Sequence, residues 1–216
     1  MPNNRSTIRA PILPKDLEAA IISELDDVDI DRCRLERCAC SGRRGERVRF
    51  DAVHAVGAEL EETRLTDVRW LDVLCERCNL SMIDWPKAVL TRVELRGCRV
   101  SGATLLEGQF EDVRFVDCQL DFATFSGARF QRVAFERCRL KEAAFIGADL
   151  GGVAFVGCEM HGVDLTNAKL QGADVRSSLL NEVRVGPTDV RGLIVNKEQA
   201  SVLAKLFGLV VRDADG

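Results

Sequence analysis

The 216-residue chain is 46% apolar and 30% charged, which excludes a disordered polymer, and no apolar run approaches the roughly 18 residues of a membrane-spanning helix. Its net charge of −4, from 34 acids and 30 bases, lacks the basic excess of a nucleic-acid binder, so no direct nucleic-acid contact is expected. Only two His, His54 and His161, and no Tyr leave little for general acid–base or metal chemistry, and the sequence points to no catalytic residue, cofactor or metal site.

The first fifteen residues, MPNNRSTIRAPILPK, lack the apolar stretch of a signal peptide. A soluble, cytoplasmic protein with its nine cysteines mostly reduced is therefore expected. Residues 1–27 read as a lead-in or cap. Pro11 and Pro14 precede residues 16–25, which suit either a short helix or an irregular first coil.

Residues 28–195 carry a period of five. Large apolar residues recur at every fifth position, among them Ile30, Leu35, Leu95, Phe110, Phe115, Phe125, Phe130, Phe135, Phe145 and Phe155. Two residues before each such centre stands a small or β-branched one, as in Val93, Cys98, Ala103 and Val113. Neither a helix, at 3.6, nor a regular strand, at 2, produces this period. A chain turning a corner every five residues, with one large and one small side chain inward per side, does.

A longer period sets the number of sides. Cys78, Cys98, Cys118, Cys138 and Cys158 recur every 20 residues, and so do Val93, Val113, Val133 and Val153. Twenty residues are four units, so each turn has four faces and like stacks on like. Segments such as GADL, TNAKL and QGADV give the chain its resemblance to the pentapeptide-repeat family. That resemblance implies an all-β fold, a right-handed quadrilateral parallel β-helix. Residues 28–195 would then supply about eight coils in a rod of roughly 40 Å, at the parallel-strand spacing of about 4.8 Å.

One unit breaks the pattern. In residues 41–47, SGRRGER, Arg43 falls on a small position and Gly45 on a centre, and register resumes at Val48 and Phe50. An excursion of one unit onto the surface explains this best, as a plain corner bulge or as a functional loop of the kind that quinolone-resistance members of the family carry.

The cysteines invite a metal or redox reading, since Cys75 and Cys78 form a CxxC. Both fall on inward positions, however, and no second pair or neighbouring His completes a site. Stacked in register about 4.8 Å apart, the column thiols suit packing better than disulfides, whose Cβ atoms lie near 3.8 Å. Cys33, Cys38 and Cys40, near the ragged start, are more open to question. Asp149, Asp164 and Asp174 precede centre residues and are expected to hydrogen-bond the turns.

Residues 196–216 read as a C-terminal module. Asn196 suits a helix N-cap with Gln199 closing a capping box, residues 197–207 form a helix with Ala200, Leu203, Leu206 and Phe207 on one face, and Gly208 stops it. Leu209, Val210 and Val211 then suggest a short strand. The family resemblance makes this module either a homodimer interface, through Leu203, Leu206, Phe207, Leu209, Val210 and Val211, or a plain cap on a monomer.

A filled rod has no cleft, so function is expected on its exterior and without catalysis. The first reading is a protein-interaction scaffold of unassigned partner. The alternative, implied by the resemblance, is a DNA mimic that binds DNA gyrase or topoisomerase IV and confers resistance to fluoroquinolones or gyrase poisons. Such a mimic needs a continuous acidic stripe. Here Arg34, Arg49, Arg64, Arg69, Arg99, Arg114, Arg129 and Arg139 interrupt the outward acids.

Overall fold

In-register hydrogen bonding builds the molecule. The computed structural model describes residues 7–36 and 38–212. Its strands are β1 (Glu18–Ala20), β2 (Val28–Asp31), β3 (Cys33–Glu36), β4 (Arg44–Asp51), β5 (His54–Val56), β6 (Arg64–Glu76), β7 (Val89–Arg96), β8 (Gln109–Val116), β9 (Arg129–Glu136), β10 (Ala154–Val156), β11 (Glu159–His161) and β12 (Leu179–Asn181). All pairings are parallel, and from β2 onward partners differ by 20 residues: Ile30 lies against Phe50, then Trp70, Leu90, Phe110 and Phe130. The chain is thus a four-sided β-solenoid of about 8 turns, followed by a C-terminal helix.

Each corner is made the same way. From residue 42 to residue 172, every fifth residue has a positive φ, whether it is glycine, like Gly102 (68°), or not, like Phe122 (59°). A left-handed residue costs an L-amino acid about 1–2 kcal/mol. Burying two side chains per unit and satisfying the backbone between coils offset it. Two adjacent faces hold continuous strands that bend through their shared corner, as β7, β8 and β9 do. The other two are tied by isolated bridges such as Arg99 to Gln119 and Thr104 to Thr124.

The interior is solid. Leu95, the Phe residues 110, 115, 125, 130, 135, 145 and 155, and Cys78, Cys98, Cys118, Cys138 and Cys158 are all buried. Rings one coil apart stack nearly parallel: Phe115 and Phe135 have centroids 4.8 Å apart, and Phe135 and Phe155 5.1 Å. Truncating such a ring to Ala typically costs about 3–5 kcal/mol.

The N-terminal end departs from the repeat. Residues 16–25 form no helix but an irregular first coil, in which β1 pairs with β3 only fifteen residues on, Glu18 beside Cys33. One unit is missing, so the chain cuts a corner. Ile22 passes over Cys40, whose thiol donates to the Ile22 carbonyl at 3.5 Å. The backbone of Leu25 then drops into the place where Gly45 would carry a side chain. A Cβ there would lie 1.5 Å from the Leu25 carbonyl oxygen. This corrects the expected excursion: residues 44–47 lie within β4, residues 44–46 pair in register with residues 64–66 of β6, and no loop is thrown out there. Gly45 is small because the shortened coil above it needs the room.

The C-terminal end is closed by α1 (Lys197–Leu206). Asn196 caps it, accepting from the Gln199 amide at 2.8 Å, while the Gln199 side chain accepts from the Asn196 amide at 3.0 Å. The Gln199 side-chain amide also donates to the Val175 and Ser178 carbonyls, at 2.7 and 2.8 Å, and so ties the helix to the end of the stack. The inward face therefore adds Gln199 to the expected Leu203 and Phe207, Ala200 lines the groove against the last coil, and Leu206, expected on this face, is exposed. Leu209, Val210 and Val211 are exposed and form no strand within the chain.

Replacing Gly45 with Ala should displace the first coil while the rest of the rod stays folded. Hydrogen exchange is expected to show loss of protection at the Asp27 amide, which donates to the Glu46 carbonyl at 2.8 Å, with the amides of β7–β9 unchanged.

Candidate functional site

The inward chemistry is accounted for by packing. Each column thiol donates to the carbonyl of a centre residue in the preceding coil: Cys118 to Leu95 at 3.3 Å, Cys138 to Phe115 at 3.3 Å, Cys158 to Phe135 at 3.2 Å. Ser178 continues the column and makes the same bond to Phe155 at 2.9 Å. Contact with a neighbouring thiol, reinforced by burial, raises the pKa of Cys75, Cys118 and Cys158, and burial raises that of Cys33. The same thiol contacts lower the pKa of Cys78 and Cys138, yet both are buried in the core, out of reach of a substrate or ligand. All nine cysteines are free and buried, and among the described residues no group of three or more His, Cys, Asp or Glu is placed to hold a metal.

The outward candidates also resolve. His54 pairs with Glu76 at 2.9 Å and His161 with Glu182 at 3.3 Å, each across to the next coil. Asp149, Asp164 and Asp174 accept from the amides of Gly151, Thr166 and Arg176, two residues on, at 3.2, 3.0 and 3.2 Å. These are turn-forming bonds.

Three exterior features remain. The first is a charge ladder at one corner, where Asp72, Arg92, Asp112 and Arg132 stack on successive coils. Arg92 clamps Asp72 through two bonds of 2.7 and 2.6 Å, and Arg132 clamps Asp112 through bonds of 2.7 and 2.9 Å. Along this corner runs an N-terminal strap. The Arg9 amide and Nε donate to Asp112 at 3.2 and 2.6 Å, and the Ile12 amide donates to Asp72 at 2.8 Å. Three residues of strap thus span two coils, about the 10 Å that an extended chain covers. The strap buries the Asp112 side chain completely. Burial alone would raise its pKa; the Arg132 and Arg9 guanidiniums outweigh that and hold the carboxyl well below the usual range. Beyond Asp112, Thr7 and Ile8 wall an open groove of about 740 Å³ with Phe130, Ala134, Ala154 and Ile194.

The second feature is a face with little charge, on the side of the rod away from the groove. Its inward centres are Trp85, Leu105, Phe125 and Phe145. Its outward positions include Met82, Thr104, Leu106, Phe122, Thr124, Ser126, Ala144 and Ile146. Met82 is 61% exposed and Phe122 60%. The third is the C-terminal end, where Leu206, Leu209, Val210 and Val211 are exposed beside an apolar groove of about 280 Å³ between α1 and the last coil. Of the six residues expected at a dimer interface, Leu203 is buried beneath the helix and Phe207 half-buried, leaving those four on the surface.

The strap and the uncharged face escaped the sequence reading. The ladder beneath the strap and the uncharged face were visible in the 20-residue register: opposite charges alternate down the Asp72 column, and apolar Met82 and Phe122 take corner positions that charged residues or glycine mostly fill.

The sequence signature of the pentapeptide repeat region matches residues 88–154 and 128–199, together just over half of the chain. The chain belongs to the pentapeptide-repeat family. Among solved pentapeptide-repeat structures, a trypsin-treated variant of QnrB1, a plasmid-mediated fluoroquinolone resistance protein, is 20% identical, with 92% of this chain covering 100% of that one at a TM-score of 0.40. HetL, a pentapeptide repeat protein involved in heterocyst differentiation regulation from the cyanobacterium Nostoc sp. strain PCC 7120, is 17% identical over 77% of this chain and 84% of that one, with a TM-score of 0.44. At such identities and scores neither likeness bears on what this pentapeptide-repeat protein does. No curated protein matches it in sequence. Among the described residues, no helix is long and apolar enough to cross a membrane.

Asp112→Asn should release the strap, since it leaves Arg132 half-satisfied and removes the charge that holds Arg9; a cost of about 2–3 kcal/mol is expected. A depressed carboxyl pKa stabilises the fold at neutral pH, and that contribution is lost as pH falls below about 4. Protection of the Arg9 and Ile12 amides, relative to their intrinsic exchange at each pH, should therefore fall on acidification in the native protein and be lost already at neutral pH in the variant.

Proposed function

We propose that this pentapeptide-repeat protein is a non-enzymatic scaffold that binds a protein partner through its outer surface. The observation that carries the reading is Phe122. A bulky apolar side chain stands 60% exposed on a left-handed corner, where it adds nothing to the core and glycine would suit the backbone better. With the interior filled, such side chains gain their stabilisation only from another molecule. Full-length protein used as bait against a phage-displayed random peptide library should enrich peptide families that bind at micromolar concentration. A bait that enriches nothing above an empty support overturns the scaffold reading.

The gyrase-binding reading finds less support. QnrB1 is described as a fluoroquinolone resistance protein, and a DNA mimic would need unpaired acids along a face. Here carboxylates meet cations on the adjacent coil: Asp117 with Arg137 at 2.7 Å, Asp149 with Lys169 at 3.4 Å, Asp164 with Arg184 at 3.0 Å. Supercoiling by DNA gyrase, with or without a fluoroquinolone, is expected to be unchanged up to tens of micromolar protein; inhibition or protection would restore the mimic.

The scaffold is further proposed to work as a homodimer joined at its C-terminal end. Leu209, Val210 and Val211 leave a sticky extension beyond the cap. Light scattering should report a dimer that the triple variant Leu209→Ser, Val210→Ser, Val211→Ser converts to a monomer, with α1 and its Gln199 cap retained. A monomeric native protein overturns this.

A further inference from the structure

We infer that the face bearing Met82, Leu106, Phe122 and Ile146 docks an acidic protein segment with apolar anchors. The inference rests on the scaffold reading and names the partner's chemistry.

The four large side chains alternate between the two edges of the face on four successive coils. Met82 and Phe122 stand at one corner, Leu106 and Ile146 at the other, with exposures from 38% to 61%. Between the corners lie the small residues Thr104, Thr124 and Ala144, with Asp84 continuing that column on the Met82 coil. Met82 lies across Gly102, where a Cβ would sit 2.4 Å from its sulfur, so Met82 and Phe122 bracket that glycine along one edge. Same-edge neighbours are two coils apart, about 10 Å, close to the rise between positions i and i+7 of a helix. The result is two apolar edges with a shallow polar-floored strip between them, about three coils tall.

Charge selects the occupant. Arg99 stands on the neighbouring face before the Gly102 corner and Arg129 on the one after the Gly127 corner, both exposed. Neither has an ion-pair partner among the described residues, although Arg139 nearby is paired with Asp121 and Lys87 with Glu107. On the face itself Asp84 and Glu142 stand toward the ends, and Glu107, next to Leu106, is paired with Lys87. An apolar strip between two uncompensated guanidiniums matches a segment whose apolar anchors are flanked by Asp or Glu. The same two cations disfavour a second copy of this face as the occupant, because they would meet each other.

The corner chemistry points the same way. Glycine or asparagine suits a left-handed residue without loss of core contacts, so Phe122→Gly is expected to leave thermal stability unchanged or raised. A side chain that stability does not require, exposed at a strained position, is a recognition element.

The test uses the full-length protein and peptides selected from a phage-displayed random library, resynthesised with a fluorophore for anisotropy titration. Selected peptides are expected to be net acidic with at least two large apolar residues. Met82→Asn with Phe122→Gly should weaken their binding about tenfold or more, with the melting temperature unaltered. Arg99→Glu with Arg129→Glu should weaken it similarly, and peptides whose Asp and Glu are replaced by Lys should bind that variant again. Neutral or basic selected peptides, or acidic ones that bind the Met82/Phe122 variant as tightly as the native protein, overturn the inference while leaving the scaffold reading intact. Self-association that Phe122→Gly abolishes assigns the face to a second copy and also overturns it. Enrichment of no peptide at all defeats the scaffold reading itself.

Discussion

Register between coils is the constraint on which everything else depends. Because each backbone unit hydrogen-bonds to the one 20 residues on, any side chain finds its own structural equivalent directly above and below. Inside, this favours columns of one shape, since a ring stacks well on a ring and a thiol fits where a thiol fits. Outside, it penalises like charges and favours alternation, as in Asp72, Arg92, Asp112 and Arg132, although Arg44 lies against Arg64 and Arg49 against Arg69. One geometric rule thus yields uniform columns in the core and alternating ones on the surface.

The same rule makes the exceptions informative. A corner filled by neither a charge nor a small residue lacks the usual reason for its composition, and Met82 and Phe122, on either side of Gly102, are two such corners. The Cys column, suspicious in isolation, is the rule at work: five thiols and one hydroxyl, at Ser178, make equivalent bonds to equivalent carbonyls. Chemistry that looks special in one dimension is ordinary once the chain is wound.

Much of this winding was legible in the sequence, because the inward positions are dictated by burial and burial acts on residue type. The four faces, the Phe stacks, the turn-forming aspartates and the Asn196–Gln199 capping box all follow from it. The ends were harder, since an end is defined by what is missing. Gly45 looked like a break in the repeat, yet it answers to Leu25, whose shortened coil has no sequence signature of its own. The helix face was misjudged for a related reason. Gln199 points inward to bond two carbonyls of the last coil, Val175 and Ser178, a polar demand that hydrophobic pattern alone does not carry. The strap was invisible to a search by period, because it has none and reads the rod lengthwise.

That lengthwise reading alters how the molecule holds together. A stack of coils in which each touches only its neighbours is a one-dimensional chain of weak links, prone to fraying from either end and to opening piecemeal. The strap joins Asp112 and Asp72, two coils apart, through residues only three positions apart in sequence. A break anywhere between those coils must also strip the strap from its carboxylates. The N-terminal half of the rod is thereby spliced into a single mechanical unit, and the coils beyond Arg132 are left to separate one at a time.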